Sequence, residues 1–163
     1  MKTKLMYFLV FALLLLPVAC GEKEVPPQEY TANEITLMVP GTWQASYEAP
    51  QQQIMLAAPN DEYALGIQIL ATGNASAEMF AQAMADQLDG EAIEPAAKYG
   101  DYQFDCKIMG FPANIIILEK DGYSLVLIQV GDHAKFAAQA ESVIKSMKSS
   151  KLEFQNVIGA IKY

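Results

Sequence analysis

Arginine is missing from this chain, and histidine and tryptophan occur once each, as His133 and Trp43. Without arginine there is no bidentate clamp for a phosphate or carboxylate. Cysteine is nearly absent too. Cys20 and Cys106 are the only two, which sets no disulfide framework. Positive charge is scarce: after residue 19, nine lysines face nineteen acids, a formal charge of −10. Nucleic-acid affinity comes from neutralising phosphates, so an acidic chain of this kind excludes a nucleic-acid partner. No GxSxG, P-loop, GxGxxG or HExxH pattern occurs. The expectation is a chain without a cofactor, a resident metal or catalytic residues, and therefore not an enzyme.

Three features invite chemistry and are weighed on that basis. His133 follows Asp132 at an expected helix start, and no second ligand stands at a metal-binding spacing. Cys106 alternates with Phe104 and Ile108, where a thiol acts as a small hydrophobe, so pairing it with His133 as a nucleophile is disfavoured. Asp86, Asp89, Glu91 and Glu94, followed by Asp101 and Asp105, supply hard oxygen donors, but their spacing matches no EF-hand loop. A solvated helix face explains Asp86 and Asp89 equally well. Asn74-Ala75-Ser76 fits a glycosylation sequon, which by itself is uninformative.

What the sequence does have begins at its first residues. Lys2 and Lys4 precede an apolar run, LMYFLVFALLLL, over Leu5–Leu16, and Pro17-Val18-Ala19-Cys20-Gly21 follows. A basic start, a short apolar core and a small residue before the cut form a secretory leader over 1–19. The run is shorter than the ~20 residues of a membrane-spanning helix. Val18-Ala19-Cys20 resembles the end of a bacterial lipobox, with Pro17 where leucine is usual. That resemblance implies diacylation of Cys20 and anchoring to a membrane. Gly21 after the cysteine resembles an outer-membrane sorting signal, facing the periplasm in a Gram-negative cell; in a Gram-positive cell the anchor lies on the outer face of the cell membrane. Residues 20–33, polar and carrying Pro26-Pro27, read as the lipidated cysteine and a flexible tether.

The rest divides by periodicity. Ile35, Leu37 and Val39 alternate inward before the Pro40-Gly41-Thr42-Trp43 turn. Gln44–Ala49, Gln53–Ala58 and Tyr63–Ala71 read as strands, and with Glu34–Val39 they suggest an antiparallel meander. From Ser76, a candidate N-cap, the period becomes helical, with Met79, Phe80, Ala83, Met84 and Leu88 on the expected core face. Tyr99–Met109 alternates again. Asp132 caps a second helix whose stripe is Phe136, Ala140, Val143, Ile144 and Met147. Residues 151–163 form a tail in which Phe154, Val157, Ile158 and Ile161 suit a short amphipathic helix, covering a domain edge or docking a partner.

Between these helix patterns lies Phe111–Gly131, FPANIIILEKDGYSLVLIQVG. Asp121-Gly122 favours a two-residue type I′ turn. Pairing Lys120 with Tyr123 then sets Leu118 opposite Leu125 and Ile116 opposite Leu127, with Ile117 opposite Val126 and Ile115 opposite Ile128. Both faces of the hairpin are apolar, so both need cover. The fold class is α+β: one domain over 34–150, an antiparallel sheet of about six to seven strands, and helices on both faces.

The Ile35-Thr36-Leu37-Met38-Val39-Pro40 strand with Trp43, the single helix, the long hairpin and a closing helix ending near Ile144-Lys145-Ser146-Met147 resemble the PsbP-like superfamily. That group includes a photosystem II extrinsic subunit, a Ran-binding nuclear import factor and bacterial DcrB-like lipoproteins; the last branch is the one this chain resembles. The resemblance implies non-catalytic protein binding or assembly and offers no catalytic residues to carry over. The function expected is an exported, lipid-anchored, non-enzymatic binding or assembly module of the cell envelope, with a protein partner and a membrane reached through Cys20. The alternatives are an immunity or inhibitor lipoprotein against a toxin or phage, and a metal-dependent small-ligand binder.

Overall fold

The computed structural model describes residues 25–163. The expected leader and Cys20 lie outside the described residues. In chain order the elements are β1 (Gln28–Ala32), β2 (Ile35–Val39), β3 (Gln44–Glu48), β4 (Gln53–Ala57), β5 (Tyr63–Ala71), α1 (Ala77–Gln87), β6 (Glu94–Pro95), β7 (Tyr102–Ile108), β8 (Phe111–Lys120), β9 (Tyr123–Gly131), α2 (His133–Ser146), β10 (Lys148–Ser149) and α3 (Leu152–Gly159). Seven strands form one antiparallel sheet in the order β3-β4-β5-β9-β8-β7-β6, and β1-β2-β10 form a small second sheet.

The β8–β9 hairpin stands at the middle of the large sheet, in the expected register: Lys120 with Tyr123, Leu118 with Leu125, Ile116 with Leu127. Asp121 (φ 53°) and Gly122 (φ 80°) supply the two positive φ angles of a type I′ turn. Ile115 to Leu118 and Leu125 to Leu127 are all buried, so both faces are covered at this point. On one face lie α2, α3 and the small sheet; Ile116, Leu118, Leu125 and Leu127 join Phe136, Val143, Ile144, Val157, Ile158, Ile35 and Leu37 in one core. On the other lies α1; Ile115, Ile117 and Val126 join Phe104, Cys106, Ala81 and Ala85 in a second core. The architecture is α+β with helices on both faces of an antiparallel sheet.

The helix ends follow their sequence signals. Ser76 accepts from the Met79 N–H at 3.2 Å, and Asp132 accepts from the Lys135 N–H at 3.1 Å. The α2 stripe expected from spacing, Phe136 through Met147, is buried at every named position.

Four expectations are corrected. The tether over 20–33 gives way at Gln28 to strand β1, which pairs along its whole length with β2. Its polar QEYTA sequence suits an exposed edge strand, and Pro26-Pro27 stands just before it, where a missing N–H costs no ladder bond. Second, β2 leaves the meander and pairs with β1 and β10. Third, α1 turns Ala77, Ala81 and Ala85 to the sheet, while Met79 and Ala83 face solvent and Phe80, Met84 and Leu88 are half-buried at its flank. Alanine lets a helix backbone approach a sheet closely, and that outweighs the larger apolar area of methionine. Fourth, the domain boundary expected at 150 moves outward: the short amphipathic helix expected in 151–163 forms as α3, and it belongs to the domain because Val157, Ile158 and, just after it, Ile161 are buried in the main core.

Candidate functional site

The residues singled out for chemistry come partly together. A cleft of about 580 Å³ at one end of the α1 side is lined by Asp89, Glu91, Asp105, Cys106, Lys107 and His133 among others. It lies where the loop after α1 meets β7, β8 and the start of α2. Asp86, Glu94 and Asp101 are not among its lining residues. The convergence of Cys106 and His133 on one cleft was not legible from their separation in sequence.

Cys106, His133 and Asp105 in this cleft are engaged by the scaffold. Cys106 is buried among Phe104, Ala113 and Ile115. Burial first, and the Asp105 carboxylate second, push its thiol pKa up. A thiol held protonated in this way is a poor nucleophile. His133 donates from Nε2 to the Gln129 carbonyl oxygen at 3.2 Å, and its ring meets the Tyr63 ring edge-on at 6.0 Å. Asp105 accepts from Asn114 Nδ2 at 2.8 Å. Three of the other acids are tied likewise: Asp86 accepts from Gln82, Glu94 from Gln103, and Asp101 from the Glu119 backbone N–H. Among the described residues no three His, Cys, Asp or Glu side chains gather as a metal site.

The surface beside the cleft is more distinctive. Strand registers align cross-strand rows on the α1 side of the sheet. One row runs Ala57, Ala64, Val130, Ala113, Cys106; the next runs Met55, Gly66, Ile128, Ile115, Phe104. The β7–β8 end of each row lies under α1, which packs on those two strands. The β4–β5–β9 end does not: Met55, Ala57, Ala64, Ile128 and Val130 are only half-buried. A wet face of an antiparallel sheet ordinarily carries polar residues; here the rows turn polar only at the β3 edge, where Gln44 stands opposite Ala57 and Ser46 opposite Met55, and Gly66 is buried with the Gln53 side chain against it. Polar cover begins in the next row, where Gln68 donates to the Gln51 carbonyl at 2.9 Å and Gln53 contacts Met55 Sδ at 2.7 Å.

Two further exposed apolar side chains stand at the β7–β8 turn. Met109 is 94% exposed and Phe111 58%. Met109 (φ 53°) and Gly110 (φ 87°) form another type I′ turn, which sequence reasoning missed because it looked for Asn-Gly or Asp-Gly. On the opposite side of the molecule, a groove of about 470 Å³ between the β1–β2 end and α2 is lined by Pro27, Met38, Pro40, Ala138, Ser142 and Ser146 among others.

No family model and no curated protein matches the chain. Solved structures do. The solution structure of cyanobacterial PsbP (CyanoP) from Synechocystis sp. PCC 6803 is similar over 82% of this chain and 98% of that one, with a TM-score of 0.50 and 10% identity. The fold is PsbP-like. A crystal structure from Bacteroides thetaiotaomicron VPI-5482 is similar over 79% of this chain and 50% of that one, at 14% identity and a TM-score of 0.48. At these identities the likeness concerns the PsbP-like fold and not the residues of a site. Among the described residues no helix is long and apolar enough to cross a membrane.

Proposed function

We propose that the chain is an exported, lipid-anchored, non-enzymatic protein-binding or assembly module of the bacterial cell envelope, of the DcrB-like kind. One observation carries the binding part: on the α1 side the apolar Met55, Ala57, Ala64, Ile128 and Val130 are only half-buried and lie beyond the β7 and β8 strands on which α1 packs. An accessory role also accords with the PsbP-like fold. The anchoring part is supported by the leader and by Val18-Ala19-Cys20.

Strand β1 opens at Gln28, so seven residues separate it from Cys20. At a reach of ~3.5 Å each, they span at most about 25 Å. The domain therefore stays close to the bilayer that holds the lipid. Two or three acyl chains anchor stably, since each buried methylene contributes about 0.8 kcal/mol.

Metabolic labelling with a fatty acid and fractionation of cells carrying Cys20→Ala test the anchor. The expected outcome is complete loss of label and release of the variant from membranes. Retained label would end the reading. An immunity or inhibitor role is the second reading, favoured by the exposed acids Glu78, Asp86, Asp89 and Glu91 of α1 and the loop after it, which form no ion pair among the described residues and suit a basic toxin. Deletion that leaves sensitivity to competitor cells and phage unchanged would remove it.

A further inference from the structure

We propose that the domain rests on the bilayer with the groove between β2 and α2 turned toward the lipid surface and α1 turned away from it. The proposal rests on the lipid-anchored reading above and assigns the face that meets the membrane.

The path of the chain comes first. Val25 and Pro26 are pinned where they enter the domain, because a Cβ added at Gly41 would collide with both of their carbonyl oxygens. Only a glycine lets the β2–β3 turn lie this close to them. Pro27, the next residue, lines the groove together with Met38 and Pro40. Cys20 stands five residues before Val25, a reach of at most about 18 Å. The outer surface of α1 is farther off. Two helix layers, each ~10 Å across, and the sheet between them separate it from the groove side by roughly 25 Å. So short a tether reaches the bilayer when the groove side faces it and falls short when α1 does.

The surface there suits a lipid interface. Val25 is 45% exposed and Met38 38%, and Pro27 and Ala138 are exposed beside them. Ser146 in the groove is already spent: its hydroxyl accepts from the Met38 N–H at 2.8 Å and donates to the Val143 carbonyl at 2.7 Å. The lining that remains is apolar apart from Gln139 and Ser142, which are exposed. Apolar side chains with a few polar ones among them match the boundary between headgroups and acyl chains. The tether also favours lipid over a protein as the occupant, since it brings the bilayer to this face without a separate binding step.

Charge sets the same orientation. From α2 to the last residue, 133–163, five lysines stand against Glu141 and Glu153. Lys135, Lys145 and Lys151 pair with Glu62, Glu141 and Glu34. Lys148 forms no ion pair among the described residues, and it stands opposite Thr36 on the outer face of the small sheet, the face that carries Met38. The one acid of that outer face is Glu29, opposite Met38. By contrast, α1 and the loop after it expose Glu78, Asp86, Asp89 and Glu91 and hold no lysine. They lie on the other face of the large sheet. An anionic bilayer repels that side and is met on the α2 side by the lysines.

The test uses the full-length chain as its own cells process it, reconstituted into vesicles of phosphatidylethanolamine and phosphatidylglycerol. An environment-sensitive fluorescent amino acid is placed singly at Met38 or Ala138, and at Met79 or Ala83 on α1 as controls. Lipids brominated near the headgroup end of their acyl chains are the quencher. The expected result is quenching at Met38 and Ala138 at least about threefold stronger than at the α1 sites. Adding Met38→Glu to the Ala138 probe should weaken its quenching about threefold, while Met38→Leu leaves it and both variants keep the parent melting temperature. Equal quenching at all four sites, stronger quenching on α1, or quenching that Met38→Glu does not change would overturn this proposal and leave the anchor intact. A blue-shifted but unquenched probe at Met38 would put a segment or acyl group of the protein itself in the groove and overturn it too. A chain that carries no acyl mass and does not stay with the vesicles would overturn both.

Discussion

The two faces of the seven-stranded sheet are built from the same strands and finished in different ways. One face is closed by α2, α3 and the small sheet, and packs with long side chains: Leu125, Leu127, Ile67, Leu65 and Ile54 are fully buried. At its end Trp43, Tyr63 and Phe136 meet ring to ring at 5.5–5.9 Å. Ion pairs run around its rim, from Lys135 to Glu62, Lys145 to Glu141 and Lys151 to Glu34. The other face is closed over half its width by an alanine-faced helix and carries acids that pair with no lysine among the described residues. One face holds the fold together, and the other leaves area that the fold does not need. Surface of that kind is where binding can be placed without loss of stability.

The comparison breaks first if the two faces cost the same to damage. Leu127→Ala removes a fully buried side chain from the closed face, and the expected loss is about 2–5 kcal/mol from the missing transfer and the cavity. Met55→Ala on the open half truncates a side chain that is already half in water, and the expected loss is below about 1 kcal/mol. Denaturant unfolding of both variants reads the difference. Equal losses would mean that the open half is covered in the folded protein, and the binding surface would disappear with it.

A second contrast lies within α1. Ala81 is fully buried against β7 and β8, whereas Ala83, two residues on, faces solvent. Ala81→Leu should lift the helix from the sheet and cost about 1–3 kcal/mol by overpacking. Ala83→Leu should fall within about 0.5 kcal/mol of the parent. Thermal melting separates the two. The reverse order would restore the Met79–Ala83 face as the core face and turn the helix on its axis.

That rotation shows where the sequence was legible and where it was not. The β8–β9 register could be read residue by residue, because Asp121-Gly122 fixes a two-residue turn and any slip would still have left an apolar pattern that only this turn anchors. The α2 stripe was legible because large side chains meet large side chains there. In α1 the largest apolar residues are not the deepest, since distance to the sheet is set by the smallest ones, and hydropathy spacing does not register that. Strand β1 was missed for a related reason: its polar sequence gives no apolar alternation, and its partner β2 pairs on its other edge with β10, over a hundred residues away. In the cleft, Cys106, His133 and the acids were each visible as single residues, but their meeting depends on how the sheet, α1 and α2 are stacked. The half-buried rows escaped notice because Ala57 and Ala64 look unremarkable until the registers align them with Val130.

The smallest effect belongs to the closed face alone and appears in alkali. Burial first, then the nearby Tyr99, push the Tyr63 hydroxyl well above its ordinary value of 10.0, and the hydroxyl donates to Gln129 Oε1 at 2.9 Å. Burial, then the Glu141 carboxylate, push Tyr99 up to about 12. Both rings pack into the closed-face core. A tyrosine whose pKa is raised by folding keeps its proton in the native state after the unfolded chain has lost it. Its stabilisation is fully present below pH 10 and is lost as pH rises through the folded value, so stability should fall between about pH 10 and 12. Tyr99 is partly open to solvent, which screens its share, so Tyr63 should account for the greater part of the slope. Equilibrium unfolding at stepped pH checks this. Tyr63→Phe should lower stability at neutral pH through the lost Gln129 hydrogen bond, by about 1 kcal/mol, and flatten the alkaline fall; adding Tyr99→Phe should flatten it further. An alkaline slope unchanged in the double variant would place the titrating groups elsewhere, outside the closed-face core that holds both rings.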